Sequence, residues 1–199
     1  MTGDKRRMHL SRGFSLIEIL ITVTLFSIAA VILSQTYVSF NRLHRKVSNA
    51  ATLSQDMRFA TEFLVRQARN TPINYGAYAD QATVASSSEI HLMTQSASTI
   101  DIAVRTAECN DLPTVHCLAL SKDGGAHWSP ITGKHENVDF FGAYVRPTQS
   151  PFVQIAGSYP NNTQPMLTFS LKLEYMADNP RDDATLQSQT TVSSRVYAR

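Results

Sequence analysis

Between Gly13 and Pro72 the chain has no glycine and no proline. Nothing in that stretch favours a left-handed turn or deletes a backbone donor, so nothing forces a helix to break. Within it, Ile19 to Phe40 is 22 residues long and holds no charged side chain. A surface helix of a soluble domain needs a solvated face, which this run lacks. At 1.5 Å per residue it is ~33 Å long, about one hydrocarbon core. Cysteine is scarce too, with Cys109 and Cys117 as the two. That excludes a disulfide-built scaffold and leaves one bridge in an oxidising compartment, or two free thiols in a cytosol. Charged residues make up 17% and hydrophobic ones 43% of 199 residues. This balance excludes a disordered chain and suits one domain with an apolar appendage.

The net charge of +2 is uneven. Residues 1–13 hold Lys5, Arg6, Arg7 and Arg12 against Asp4, a balance of +3. The rest holds 14 basic and 15 acidic residues, close to neutral. A strongly basic nucleic-acid-binding body is thereby excluded, and no nucleic-acid partner is expected. The basic cluster precedes the apolar run, so the positive-inside rule keeps the N-terminus cytoplasmic and sends the body across the membrane. On that topology Cys109 and Cys117 face an oxidising compartment, and a disulfide closing a short loop around Pro113 is the expectation.

One residue does not fit a plain anchor. Glu18 sits four residues into the apolar segment, in Arg12-Gly13-Phe14-Ser15-Leu16-Ile17-Glu18. A carboxylate at the centre of a membrane helix costs roughly 2.5–3.5 kcal/mol. Thr22, Thr24, Ser27, Ser34, Gln35, Thr36 and Ser39 add uncharged polar groups to the same span. Small hydroxyl residues let helices approach closely and hydrogen-bond, which fits a helical bundle as well as lipid.

These residues resemble the processing motif of type IV prepilins and type II secretion pseudopilins. Those chains carry a short basic leader, Gly, Phe, a few apolar residues, Glu and then an apolar helix. The resemblance implies that a prepilin peptidase cuts after Gly13 and that the new amine on Phe14 is methylated. It further implies that Glu18 attracts the N-terminal amine of a neighbouring subunit during filament assembly. A buried acid is tolerable when an opposite charge lies within reach, and proteolysis would create that charge. Other pilin or pseudopilin subunits and an inner-membrane assembly platform are the partners implied.

The helical period continues past Phe40. Leu43, Val47, Ala50, Leu53, Met57, Ala60, Leu64 and Ala68 recur every three or four residues, which predicts one amphipathic face. Phe59 and Phe63 lie beside it and are expected to widen the packed face. The prediction is one helix from about Phe14 to Asn70, ended by Thr71-Pro72. Beyond a connection at 75–88 the period becomes two. Strands are expected at Ile90–Met93, Ile100–Arg105, Cys117–Leu120, Val138–Val145, Leu167–Tyr175 and Thr190–Tyr197, with a hairpin turn at Lys122-Asp123-Gly124-Gly125. Four prolines from Pro147 to Pro165 confine the stretch between the late strands to loop. The fold class is α+β, a long helix packed on an antiparallel sheet, which is pilin-like.

The expected divisions are a leader at 1–13, a membrane or filament-core half-helix at 14–40, an amphipathic half-helix at 41–71 and a periplasmic head at 72–199. The stretch Leu53 to Asn70 and the Arg-containing last strand are similar to the larger minor subunits, the PilW-type minor pilins and J-type pseudopilins. Many major pilins carry a proline about two-thirds along the apolar helix, where this chain has Gln35, and a disulfide nearer the C-terminus. Both departures favour a minor subunit, and a minor type IV pilin is the expectation. A J-type pseudopilin uses the same chemistry and is the nearest alternative. A single-pass anchored periplasmic protein unrelated to filaments would explain the span but not Glu18.

No HExxH motif or Gly-rich phosphate loop occurs, and no nucleophile–base pair is singled out. No enzyme, cofactor or metal is therefore expected. His116, His127 and His135 match no compact zinc pattern and are read as exposed positions on the sheet and its loops. Asp178, Asp182 and Asp183 are the right type for calcium, but their spacing fits no EF-hand loop, and a solvated turn is the expectation.

Overall fold

The computed structural model describes residues 14–78, 87–94, 98–106, 109, 115–151 and 163–195. The chain forms two compact units, one ending at His44 and the other beginning at Arg45. A single helix, α1, runs Leu16–Asn70. It starts two residues later than expected because the carbonyl of Ser15 already accepts the first helical hydrogen bonds, from the Glu18 and Ile19 N–H groups. Ser15 thus takes the N-cap position, for which serine is well suited. At the other end Thr71-Pro72 stops the helix, since proline disfavours helical geometry in the residue before it.

The second unit is built on the far part of α1. Leu53, Met57, Ala60, Leu64 and Ala68 are its buried residues, spaced four, three, four and four. They share one apolar cluster with the strand residues Ile90, Leu92, Ile102, Leu118, Phe141, Phe169 and Leu171. Burying a side chain of this size contributes about 1.5–3 kcal/mol. Two expectations need correction. Leu43, Val47 and Ala50 lie on the predicted stripe but are exposed, so coverage begins only at Leu53. Phe63 packs against the core, whereas Phe59 is 59% exposed and widens nothing.

The strands form two sheets rather than the single sheet expected. The first takes the order β1 (Glu89–Met93), β2 (Thr99–Arg105), β3 (Cys117–Ser121), β4 (Ser129–Pro130). The second takes the order β5 (Glu136–Arg146), β6 (Met166–Tyr175), β7 (Ala184–Ser193). All neighbouring pairs are antiparallel. In β6, Leu167, Phe169, Leu171 and Leu173 alternate inward and are at most 1% exposed, as period-two patterning requires. The turn between β3 and β4 uses Gly124 and Gly125 at φ 72° and 92°, a conformation that glycine adopts freely.

Backbone hydrogen bonds join the parts. The Met93 N–H donates to Pro72 O and the Asn74 N–H to His91 O, tying the end of α1 to β1. Ser87 exchanges two hydrogen bonds with Ala143 of β5, and the Val138 N–H donates to His116 O. After β7, the Arg195 N–H donates to Arg69 O. The last strand starts earlier than expected, running Ala184–Ser193, and residues 196–197 of the expected strand lie outside the described residues. Its side chains are mostly exposed and polar, so apolar alternation does not mark it.

Candidate functional site

The N-terminal segment supplies the chemistry that the sequence singled out. Gly13, Lys5, Arg6, Arg7 and Arg12 lie outside the described residues. Phe14 is 77% exposed, and Glu18 occupies the first turn of α1. A negative charge there faces the positive end of the helix dipole, an interaction worth about 0.3–1 kcal/mol. Ser15-Leu16-Ile17-Glu18 also has the Ser-x-x-Glu spacing of a capping box, a second local signal in the same stretch. Glu18 is thus suited both to start the helix and to meet a cation placed next to it.

The rest of the first unit is an uncovered apolar cylinder. No described residue before Leu53 is buried, and Leu16, Phe26 and Leu33 are 80%, 74% and 69% exposed. The most apolar 18-residue window of α1 has a mean hydropathy of 2.6. Contiguous apolar surface on this scale marks a membrane or protein contact. By length and composition α1 is suited to cross a bilayer.

Five of the polar residues in the span have partners within the helix. The hydroxyls of Thr22, Ser27, Ser34 and Thr36 donate to the carbonyls of Ile19, Val23, Ala30 and Ile32 at 2.8–2.9 Å, and Thr24 donates to Leu20 at 2.9 Å. Back-bonding of this kind satisfies a hydroxyl without any neighbour. These side chains therefore enter an apolar surrounding at little cost, and their small size still permits close helix approach. Glu18 is the one charged side chain between Phe14 and Phe40.

Just past the span, α1 carries Arg42, Arg45 and Lys46, all exposed. They follow the span, whereas the basic cluster of residues 1–13 precedes it. Arg45 also reaches Asp182, with Nε 3.6 Å from Oδ2, and the Asn49 side-chain amide donates to Asp182 O at 3.1 Å. Arg45, Asn49, His135, Tyr175, Asp178 and Asp182 line a cavity of about 220 Å³.

Two carboxylates of the aspartate loop have protein partners. Asp183 Oδ1 accepts from the Ala177 N–H at 2.9 Å, Asp182 faces Arg45, and Asn179 caps the short 3₁₀ turn Pro180–Asp182. Among the described residues no group of three or more His, Cys, Asp or Glu side chains is arranged to hold a metal. His116 is exposed, His127 is hydrogen-bonded to Asp123 through Nδ1 at 2.5 Å, and the His135 ring lies 6.1 Å from that of Tyr175. Hydrogen bonds from the His127 backbone and side chain and from Ser121 hold the Asp123 carboxyl well below the usual range. Cys109 and Cys117 are joined in a disulfide with Cα atoms 5.3 Å apart. Trp128 packs against it, with the Arg105 guanidinium 4.6 Å from the ring centroid.

The head also holds a polar cluster that alternation alone does not reveal. His91 Nδ1 lies 2.6 Å from Asp101 Oδ1, and the His91 N–H donates to the Tyr78 hydroxyl at 3.1 Å. The two rings meet edge to face at 4.8 Å. This cluster fastens the segment after α1 to β1 and β2.

A family model described as the prokaryotic N-terminal methylation motif matches residues 8–34. Searches of curated proteins and of solved structures give no match.

Proposed function

We propose that this chain, whose methylation motif and long apolar helix fit a type IV pilin-like protein, is a minor pilin. The motif implies processing by prepilin peptidase and assembly with other pilins. In our reading residues 1–13 are the leader, Gly13 precedes the cut, and Phe14 carries the methylated amine. Residues 14–40 anchor the subunit and later enter the filament core, and the head beyond them is periplasmic. The departures from major-pilin patterning support a minor role in initiating or capping the filament.

The observation that carries this reading is Glu18. It stands at the start of a helix whose following turns are apolar and exposed. In a bundle of such helices a carboxylate would be stranded unless a cation met it. The amine released on Phe14 is close enough in sequence to serve its own chain, and equally placed to serve a neighbour. Orientation rests on the motif more than on charge counting, since Arg42, Arg45 and Lys46 nearly balance the four basic residues of the leader.

Glu18→Ala should leave membrane insertion intact and lower incorporation into filaments by more than about tenfold, because losing one member of a buried pair costs several kcal/mol. Immunoblots of sheared filaments against membranes read both quantities. Equal incorporation by the variant would end the charge-pairing mechanism. A J-type pseudopilin shares every one of these features. A deletion strain that keeps its surface filaments but fails to secrete folded proteins would select that reading instead.

A further inference from the structure

The head contains a buried acid that plays no part in filament pairing. Glu136, the first residue of β5, is 1% exposed. Its Oε2 accepts from the Gly133 N–H at 3.0 Å, whereas Oε1 is buried without a hydrogen-bond donor among the described residues. The nearby acid is Asp56, half-buried on α1. A Cβ built on Gly133 would touch both acids, lying 3.5 Å from Glu136 Oε1 and 3.8 Å from Asp56 Oδ2. The two side chains therefore meet over the Gly133 backbone, at the seam between helix and sheet.

Two carboxylates are both acceptors and repel. They form a hydrogen bond only when one holds a proton. We infer that Glu136 and Asp56 bind one shared proton that latches α1 to the start of β5, so that alkaline pH releases the latch. Glu136, the more buried partner, carries the proton and donates it to Asp56. The geometry alone asks for this, because an ionised Glu136 would leave one oxygen buried, unpaired and beside a second negative charge.

The other titratable groups around Glu136 are its sequence neighbours Lys134 and His135 and its register partner Tyr175 on β6. Among these groups Asp56 acts on its ionisation through a hydrogen bond and its charge. Burial first, then the Asp56 hydrogen bond and charge, push the Glu136 carboxyl up to about 8, with the Gly133 N–H pulling the other way. The unfolded chain releases this proton near the ordinary glutamate value of 4.5. Between those two values the folded state holds a proton that the unfolded state has lost. Stability from the latch is therefore complete below about 4.5 and declines as pH rises, until it is gone once pH passes through about 8.

The test is a carboxyl ¹³C titration of the full chain in detergent micelles, labelled at glutamate. One resonance should titrate near pH 8, and Asp56→Asn should move its midpoint down toward the ordinary range. Glu136→Gln should abolish that resonance and flatten the fall in melting temperature between pH 6 and 9, since the amide can donate to Asp56 at any pH. Should Glu136→Gln misfold, the wild-type titration still decides. A wild-type chain in which every glutamate titrates near 4.5 overturns the proposal. So does a Glu136→Gln protein whose melting temperature falls with pH as steeply as before.

Discussion

Two stretches of the same helix meet opposite fates. From Leu16 to Phe40, α1 presents large apolar side chains, all of them exposed. From Leu53 to Ala68, five apolar positions at most 3% exposed share a core with two sheets. Both belong to one unbroken helix, so local structure does not separate them. What separates them is who supplies the covering. The second stretch is covered by its own chain and belongs to a folding unit. The first must be covered by lipid or by other subunits, which makes it the part of the chain that can change surroundings.

Matched substitutions give the strongest way to break this contrast. Leu64→Ala removes a side chain that is 1% exposed and should destabilise the head by about 2–5 kcal/mol. Leu25→Ala removes one that is 62% exposed and should leave head unfolding unchanged. Chemical denaturation of the full chain in micelles, followed through Trp128 fluorescence, measures both. A Leu25 variant as damaging as the Leu64 variant would mean that the halves fold as one. A smaller effect sharpens the picture of the head itself. Cys109→Ala with Cys117→Ala opens a loop closed across a sequence separation of 8 and should cost about 2–3 kcal/mol on the chain-entropy account. Membrane insertion should not change, because the bridge lies wholly in the second unit. Loss of the chain from membranes in that variant would contradict the separation.

The fold was legible where its signal was local. The spacing of Leu53, Met57, Ala60, Leu64 and Ala68 identified the buried face, and the inward residues of β6 announced themselves by alternation. The same periodicity extended to Leu43, Val47 and Ala50, which are exposed. Period gives the orientation of a face but not whether anything covers it. The split into two sheets was hidden because strand pairing is non-local. Strand β7 was misplaced because an exposed strand of Thr, Gln and Ser has little apolar contrast to read.

The candidate site divides in the same way. Glu18 was conspicuous because a charge in an apolar run violates patterning on its own. Its capping-box relation to Ser15 was equally local and was overlooked in favour of the larger anomaly. Glu136 gave no such warning, since a glutamate between His135 and Asn137 reads as a surface position. Only the arrival of Asp56 from α1, 80 residues away in sequence, makes it a buried acid pair.

The central claim is that Glu18 meets an amine that exists only after cleavage. The most direct measurement is the mass of the N-terminal peptide from protein recovered in its assembled form from the native host. The account predicts a peptide beginning at Phe14 with one added methyl group, and its loss in a Gly13→Ala variant. An assembled, working protein that still carries residues 1–13 would contradict it.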